Sequence, residues 1–298
     1  ISSGVGSEGV RTGNSGEADE TPSPENHGTW IMAEPTCWMD LETPAALVDV
    51  DRMAANLEKV GEYCKKWGIS YRPHAKTHKS SVLARKQLDV GAVGVTVATP
   101  REAQVMARVV DDILVAYPFM ARGNLMAVLS LPEEVRLSFA LDSSTALGHL
   151  AKAARERSRE VAVLVEVDVG LRRVGVAGLV DTLRLVREVA ETPGVHYHGI
   201  LFYPGHIRMP AADQSRAIQA LNAHLADLVG VLEEAGLAPS VMSGGSTPTF
   251  FRSHEVTGMT EVRAGTSIFN DRTTALMDGC EWTDCAYTVL APVVSTAI

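Results

Sequence analysis

The chain has 298 residues, 46% of them apolar, with a formal net charge of -9 and four scattered cysteines. That length supports one large core or two domains. The acidic balance excludes general affinity for nucleic acid and for anionic membranes, no run reaches transmembrane length, and the C-x4-C pair Cys280 and Cys285 has neither zinc nor redox spacing, which fits a reducing compartment.

Residues 1–33 differ in kind. They are rich in Gly, Ser and Glu, include Asp19 and Glu20, and show almost no apolar periodicity. Such a segment cannot repay its ordering entropy, which predicts a disordered tail. It lacks a signal-peptide pattern and an initiator methionine. The expected location is the cytoplasm, or an organelle interior if the tail is what remains of a processed leader.

Leu41-Glu42-Thr43-Pro44 precedes a first strand over 45–49. Asp51 is placed to cap a helix running to 67. Met53, Leu57, Val60, Cys64 and Trp67 form its expected buried stripe, and Gly68 stops it. A strand over 68–72 then enters Tyr71-Arg72-Pro73-His74-Ala75-Lys76-Thr77-His78-Lys79, and a helix over 79–88 follows. As a solvated basic loop this stretch needs no function. Held between two rigid elements, it places an amine for covalent catalysis on a substrate carbonyl or on pyridoxal phosphate. Neighbouring cations would lower the pKa of that amine. Lys76, nearer the strand end, is the better candidate than Lys79. A phosphate-binding loop using His78 and Lys79 is the alternative.

The rhythm then repeats. A strand over 92–98 meets Thr99-Pro100-Arg101-Glu102, a capping box with proline at the first helical position. Strands over 112–117, 135–141, 161–167, 195–201 and 240–243 alternate with helices over 122–129, 143–157, 177–191 and 212–235. A short strand over 261–263 comes last. The strands read as continuous apolar runs, such as Val161-Ala162-Val163-Leu164-Val165, the mark of parallel strands buried on both faces. Counted from Ala45, the steps number about eight, which favours a closed (β/α)8 barrel over an open sheet. Residues 277–288 and 289–295 read as strand and turn without helix. The expected division is a tail at 1–33, a barrel at 34–265 and the start of a C-terminal β domain at 266–298, continuing in the natural protein beyond Ile298.

Residues after barrel strands converge on one face. Ser243-Gly244-Gly245-Ser246-Thr247 can be a plain turn or, with its exposed amides and hydroxyls, a phosphate nest. In Glu166-Val167-Asp168-Val169-Gly170-Leu171-Arg172-Arg173 the carboxylates alternate, so they face the same way if the strand continues. An arginine there, Arg173 above all, either closes the loop or reaches a bound cofactor. Tyr203 could support a pyridine ring, and His206 could be a base or a metal ligand. His196 or His198 could be a satisfied core histidine. No H-E-x-x-H, G-x-S-x-G or Walker loop occurs. Together these pieces make a coherent pyridoxal phosphate site.

Leu41-Glu42-Thr43-Pro44-Ala45, the run from Arg72 to Lys79, Glu166-Val167-Asp168-Val169-Gly170 and Glu261-Val262-Arg263-Ala264-Gly265-Thr266 together resemble the D-threonine aldolase and D-serine dehydratase group. That group belongs to the alanine-racemase-like, fold-type III pyridoxal phosphate enzymes. The resemblance runs from about Leu41 to the chain end. It implies that Lys76 carries the Schiff base, that Arg173 and Tyr203 touch the cofactor, and that Gly244, Gly245, Ser246 and Thr247 hold its phosphate. It implies a place for His206 near the substrate hydroxyl, a homodimer, and a divalent metal, Mn2+ or Mg2+, held by residues expected after Ile298. The implied reaction is retro-aldol cleavage of D-threonine and related D-3-hydroxy amino acids to glycine and an aldehyde. D-Serine dehydration to pyruvate and ammonia, or cleavage of 3-hydroxy-D-aspartate with Arg208 on the extra carboxylate, is the alternative. A non-enzymatic cofactor-binding barrel is the distant one.

Overall fold

The computed structural model describes residues 37–297, so the tail expected at 1–33 lies outside them. Residues 37–43 belong to a separate unit with one 3-10 turn, Trp38–Asp40. All other elements belong to the unit that begins at Pro44. In chain order they are β1 (Ala45–Val48), α1 (Val50–Trp67), β2 (Ser70–Tyr71), α2 (Ser81–Asp89), β3 (Val95–Val97), α3 (Pro100–Met106), β4 (Asp112–Val115) and α4 (Arg122–Leu129). There follow β5 (Arg136–Leu141), α5 (Ser144–Glu156), β6 (Val161–Val167), α6 (Leu179–Glu191), β7 (Val195–Phe202), α7 (Ser215–Glu234), β8 (Val241–Gly244), β9 (Glu261–Val262), α8 (Arg272–Leu276) and β10 (Tyr287–Leu290).

Side-chain caps set where several helices start. Thr99 accepts from the Glu102 N–H, and the Glu102 carboxylate reaches back to the Ala98 N–H at 2.8 Å. Ser80 and Ser143 cap α2 and α5 in the same way. Asp49, not Asp51, caps α1, because its carboxylate accepts from both the Asp51 and the Arg52 N–H. Gly68 ends that helix at φ 65, a left-handed conformation that glycine adopts freely. Met53, Leu57, Val60 and Cys64 are buried on α1 as expected, but Trp67 is 44% exposed. Its indole instead stacks on His254, with centroids 3.8 Å apart.

Strands β2 to β9 form one parallel sheet in the order β2-β9-β8-β7-β6-β5-β4-β3. Isolated parallel bridges from Tyr71 to Ala92 and from His74 to Thr96 draw the two edge strands together. The sheet therefore curls into a nearly closed barrel. Leu114, Ala140, Leu164 and Leu201 fill part of its interior, while Ile113, Phe139, Val163, Val165 and Ile200 pack outward among the buried helix faces. Each fully buried aliphatic or phenyl side chain of this kind stabilises by about 1.5–3 kcal/mol.

The barrel count needs one correction. The first strand, β1, is not a barrel strand. It pairs antiparallel with β10, from Ala45 opposite Leu290 to Val48 opposite Tyr287, in a separate two-stranded sheet. The eighth barrel strand is β9. The C-terminal stretch is also less regular than expected. A 3-10 turn, Trp282–Asp284, interrupts it, and residues 291–297 form no strand. No helix among the described residues is long and apolar enough to cross a membrane.

Candidate active site

Lys76 sits in a 3-10 turn, Ala75–Thr77, just past the end of β2. His74 starts the turn and accepts the Lys76 N–H on Nδ1 at 3.3 Å. Ala75 is fully buried beneath it. The other basic residues of the loop point elsewhere. His78 pairs with Gln87 at 3.1 Å and accepts from the Ser80 N–H at 3.0 Å. Lys79 is exposed and lies 3.5 Å from the Glu102 carboxylate. Of the two lysines, only Lys76 lines the cavity at this end of the barrel.

That cavity measures about 500 Å³ and lies at the C-terminal ends of the strands. Tyr203 after β7, Gly245, Ser246 and Thr247 after β8, and Arg263 after β9 share its wall with Glu166 and Arg173. The Arg173 guanidinium lies 4.8 Å from the centre of the Tyr203 ring. Burial, then the charges of Arg173 and Arg263, hold the Lys76 ammonium below the usual lysine range. Burial pushes the Glu166 carboxyl up, against the pull of Arg263. The buried His74 imidazole is pushed down to about 2 by burial and by Lys76, so it stays neutral. The site thus gathers a neutralisable amine, two arginines and a carboxyl disposed to hold its proton.

Two glycines let the backbone pack closely at this cavity. Gly245 has φ +87, and a side chain there would also strike Val262 at 2.7 Å. A Cβ on Gly265 would stand 2.7 Å from both the His74 carbonyl and Thr77 Oγ1. Ser246 and Thr247 open the following 3-10 helix, with Pro248 in its first turn. The Ser246 hydroxyl lies 2.9 Å from Thr249 Oγ1, and a turn of small residues with exposed amides is the chemistry that holds a phosphate. With Lys76 opposite, the residues present fit pyridoxal phosphate, and the volume lies in the about 300–1,000 Å³ range of small-molecule sites. Gly265→Ala should push the Lys76 turn outward. We expect it to weaken cofactor binding about tenfold and to cost about 1–3 kcal/mol of stability. Absorbance titration and a denaturant melt would measure the two effects.

Other residues singled out from the sequence fall differently. Gly244 is the last residue of β8 and packs on the Phe202 ring rather than on the cavity. His206 is exposed and does not line the cavity; it lies beside Gly170, whose Cβ position is 3.3 Å from the imidazole. Asp168 does not line the cavity with Glu166. It turns back to accept the Gly170 and Arg172 N–H groups at 2.9 and 3.0 Å, closing the loop after β6. Neither His196 nor His198 is a core histidine. Both line a larger cavity, about 830 Å³, with Arg72 and Asp112. That cavity lies at the N-terminal ends of the strands, has no lysine, and is on the face that barrel enzymes do not use for chemistry. Arg208 lines a small cavity that shares Tyr203, Ser246 and Thr247 with the Lys76 site. Among the described residues no three His, Cys, Asp or Glu side chains gather to hold a metal.

Arg263 and His74 carry more of the site than their residue types announced. Arg263 follows β9, a buried strand, two positions after Glu261. Charges alternating along a buried strand were the available signal, since burial there is costly unless they are paired.

A lysine past one strand end and a glycine-containing turn past another, on one cavity of a parallel barrel, fit a class: the fold-type III, alanine-racemase-like pyridoxal phosphate enzymes. The chain belongs to the family described as alanine racemase, N-terminal domain, whose profile matches residues 48–273. It is 35% identical over 264 residues to a D-threo-3-hydroxyaspartate dehydratase of Delftia sp. (strain HT23), covering 86% of this chain and 68% of that protein. A solved variant of a D-threo-3-hydroxyaspartate dehydratase in a metal-free form superposes with a TM-score of 0.76 at 33% identity, over 84% of this chain and 67% of that one. A 3-hydroxy-D-aspartate aldolase of Paracoccus denitrificans (strain Pd 1222) is 28% identical over 237 residues, covering 78% of this chain and 61% of its own length. The D-threonine aldolase of Filomicrobium marinum has a TM-score of 0.77 at 26% identity, over 80% of this chain and 66% of that one. The chain thus spans about 61–68% of the length of these relatives.

Proposed function

We propose that the protein is a pyridoxal phosphate-dependent lyase of D-3-hydroxy amino acids, and that it dehydrates substrates of the 3-hydroxyaspartate type. The observation that carries the class is the Lys76 cavity, with Arg173 and Arg263 in its wall. A cavity with two guanidinium groups suits an anionic cofactor. The 35% identity to a 3-hydroxyaspartate dehydratase favours the same substrate type and the loss of water. D-Threonine cleavage, the activity the motifs alone imply, is the less supported reading. Retro-aldol cleavage of the same diacid is a second reading, favoured by the relative that is a 3-hydroxy-D-aspartate aldolase.

The residues divide the work. Lys76 would hold the cofactor covalently and then, released by the substrate amine, stand as the base that takes or returns the α-proton. Its lowered pKa keeps that amine available. Gly245, Ser246 and Thr247 would hold the phosphate, Tyr203 and Arg173 would flank the ring, and Arg263 would donate to the bound group. Bound pyridoxal phosphate supplies an electron sink for charge developing at Cα. A divalent metal and a homodimer belong to the same proposal, on the strength of the family resemblance. The described residues offer no three-ligand metal set, and none of these side-chain roles passes through a metal.

Product analysis tests the proposal. The protein, with pyridoxal phosphate and Mn2+ or Mg2+, is incubated with each stereoisomer of 3-hydroxyaspartate and of threonine. Oxaloacetate and ammonia from a D isomer are expected. Glycine and glyoxylate would move the protein to the aldolase branch. Turnover of L isomers alone would sink the assignment.

A further inference from the structure

A chain of polar contacts crosses the interior of the barrel from one mouth to the other. Arg72 donates through Nη1 to Asp112 at 2.5 Å and through Nε to Glu261 Oε2 at 2.6 Å. Ser243 Oγ lies 2.6 Å from the other carboxylate oxygen, Glu261 Oε1. Arg263 Nε lies 2.8 Å from the same Ser243 Oγ, and Arg263 Nη2 donates to the Phe202 carbonyl at 2.8 Å. Ser243 is fully buried, and Glu261 and Arg263 are 5% and 8% exposed.

The donors and acceptors leave one arrangement. An arginine only donates and a carboxylate only accepts. The single hydroxyl hydrogen of Ser243 therefore goes to Glu261, and its lone pair takes the Arg263 N–H. Two of the three guanidinium nitrogens of Arg263 are thereby held. Nη1 keeps no protein partner among the described residues, and Arg263 forms part of the Lys76 cavity wall. Packing alone does not call for this. The neighbouring layer is filled by Leu114, Ala140, Leu164 and Leu201, and apolar residues generally fill a barrel at no desolvation cost. Nor does ion pairing call for all of it, because Arg72 and Arg136 already balance Glu261 and Asp112. Ser243 and Arg263 extend the chain toward the cavity.

We propose that Ser243 and Glu261 are positioning residues of the active site: they clamp Arg263 through Nε so that Nη1 is presented as a fixed donor to the bound cofactor. This rests on the reading of the Lys76 cavity as the cofactor site. Neither residue touches the cofactor itself, and their effect passes through Arg263.

The test is a double-mutant cycle on the full chain, read by cofactor titration rather than by turnover. Affinity and the visible band of the lysine-bound chromophore are recorded for the wild type, Ser243→Ala, Arg263→Gln and the double variant. Ser243→Ala should weaken binding about tenfold, the scale of one charge-assisted hydrogen bond, and should shift the band. In the Arg263→Gln background the same change should move affinity by less than about twofold and leave the band in place. An equal effect in both backgrounds would overturn the proposal, because Ser243 would then act on its own. Wild-type affinity and spectrum in Ser243→Ala would overturn it too. If circular dichroism shows that Ser243→Ala does not fold, Glu261→Gln, which keeps the shape but removes the charge, carries the same cycle. A wild-type chain that forms no chromophore with pyridoxal phosphate would sink the site reading and this proposal together, before any variant is compared.

Discussion

Lys76→Ala should form no visible chromophore with pyridoxal phosphate and should lose turnover by on the order of 10⁴-fold, the upper end of what one acid–base group contributes. The reason is positional. The turn Ala75–Thr77 places this amine, and not that of Lys79, on the cavity wall. Burial and the charges of Arg173 and Arg263 depress its pKa. A depressed pKa leaves more free amine at a given pH. Amine-selective labelling of Lys76 should therefore reach its plateau at lower pH than labelling of a free lysine side chain. The fold should survive, because the Lys76 side chain is open to the cavity and substitutions away from packed features change stability by about 0.5 kcal/mol or less. Lys79→Ala is the internal control: its exposed contact with Glu102 is of the kind worth about 0–1 kcal/mol, and turnover should stay close to wild type. Full turnover in Lys76→Ala, measured as kcat/KM beside a thermal melt, would remove the site from this cavity.

Much of the barrel was legible because its strands are buried on both faces. β6 is buried along its whole length and has the bounds expected for it, 161–167. β1 misled because four small and aliphatic residues look alike in a parallel barrel strand and in a one-sided antiparallel pair. What distinguishes them is the partner, β10, more than 230 residues away. The site was legible to the extent that strand ends converge. Lys76, Arg173, Tyr203, Gly245, Ser246 and Thr247 lie on successive loops of one face, and the structure puts all six on one cavity. Periodicity cannot say how a long loop turns, and that is why His206, three residues past Tyr203, ends up exposed beside Gly170. Local sequence also hid Arg72. It stands in a basic run and reads as part of the loop, yet its side chain is 12% exposed and turned into the barrel.

Arg72→Met should therefore cost about 3–5 kcal/mol, the penalty for breaking a buried ion pair and leaving the Glu261 carboxylate without its cation. Burial disfavours the charge of Arg72, but Glu261 and Asp112 outweigh it and hold the guanidinium above its ordinary range. With the cation removed, Asp112 still has Arg136 at 3.2 Å, but Glu261, 5% exposed, keeps only the Ser243 hydroxyl. Against a total of about 5–15 kcal/mol for a folded domain, a loss of that size removes a large share of the stability. For a unit of this size it should lower the melting temperature by on the order of 10 °C. A denaturant melt gives the number directly, through a shift in midpoint at constant slope. The same change should reach the cofactor, because Glu261 is shared between Arg72 and Ser243. A carboxylate freed from Arg72 can swing, and the Ser243 hydroxyl then loses its fixed acceptor. A loss below about 1 kcal/mol with unchanged cofactor affinity would show that water in the 830 Å³ cavity at the N-terminal mouth already screens the pair. The barrel would then owe its closure to the apolar layer and not to the charges that thread it.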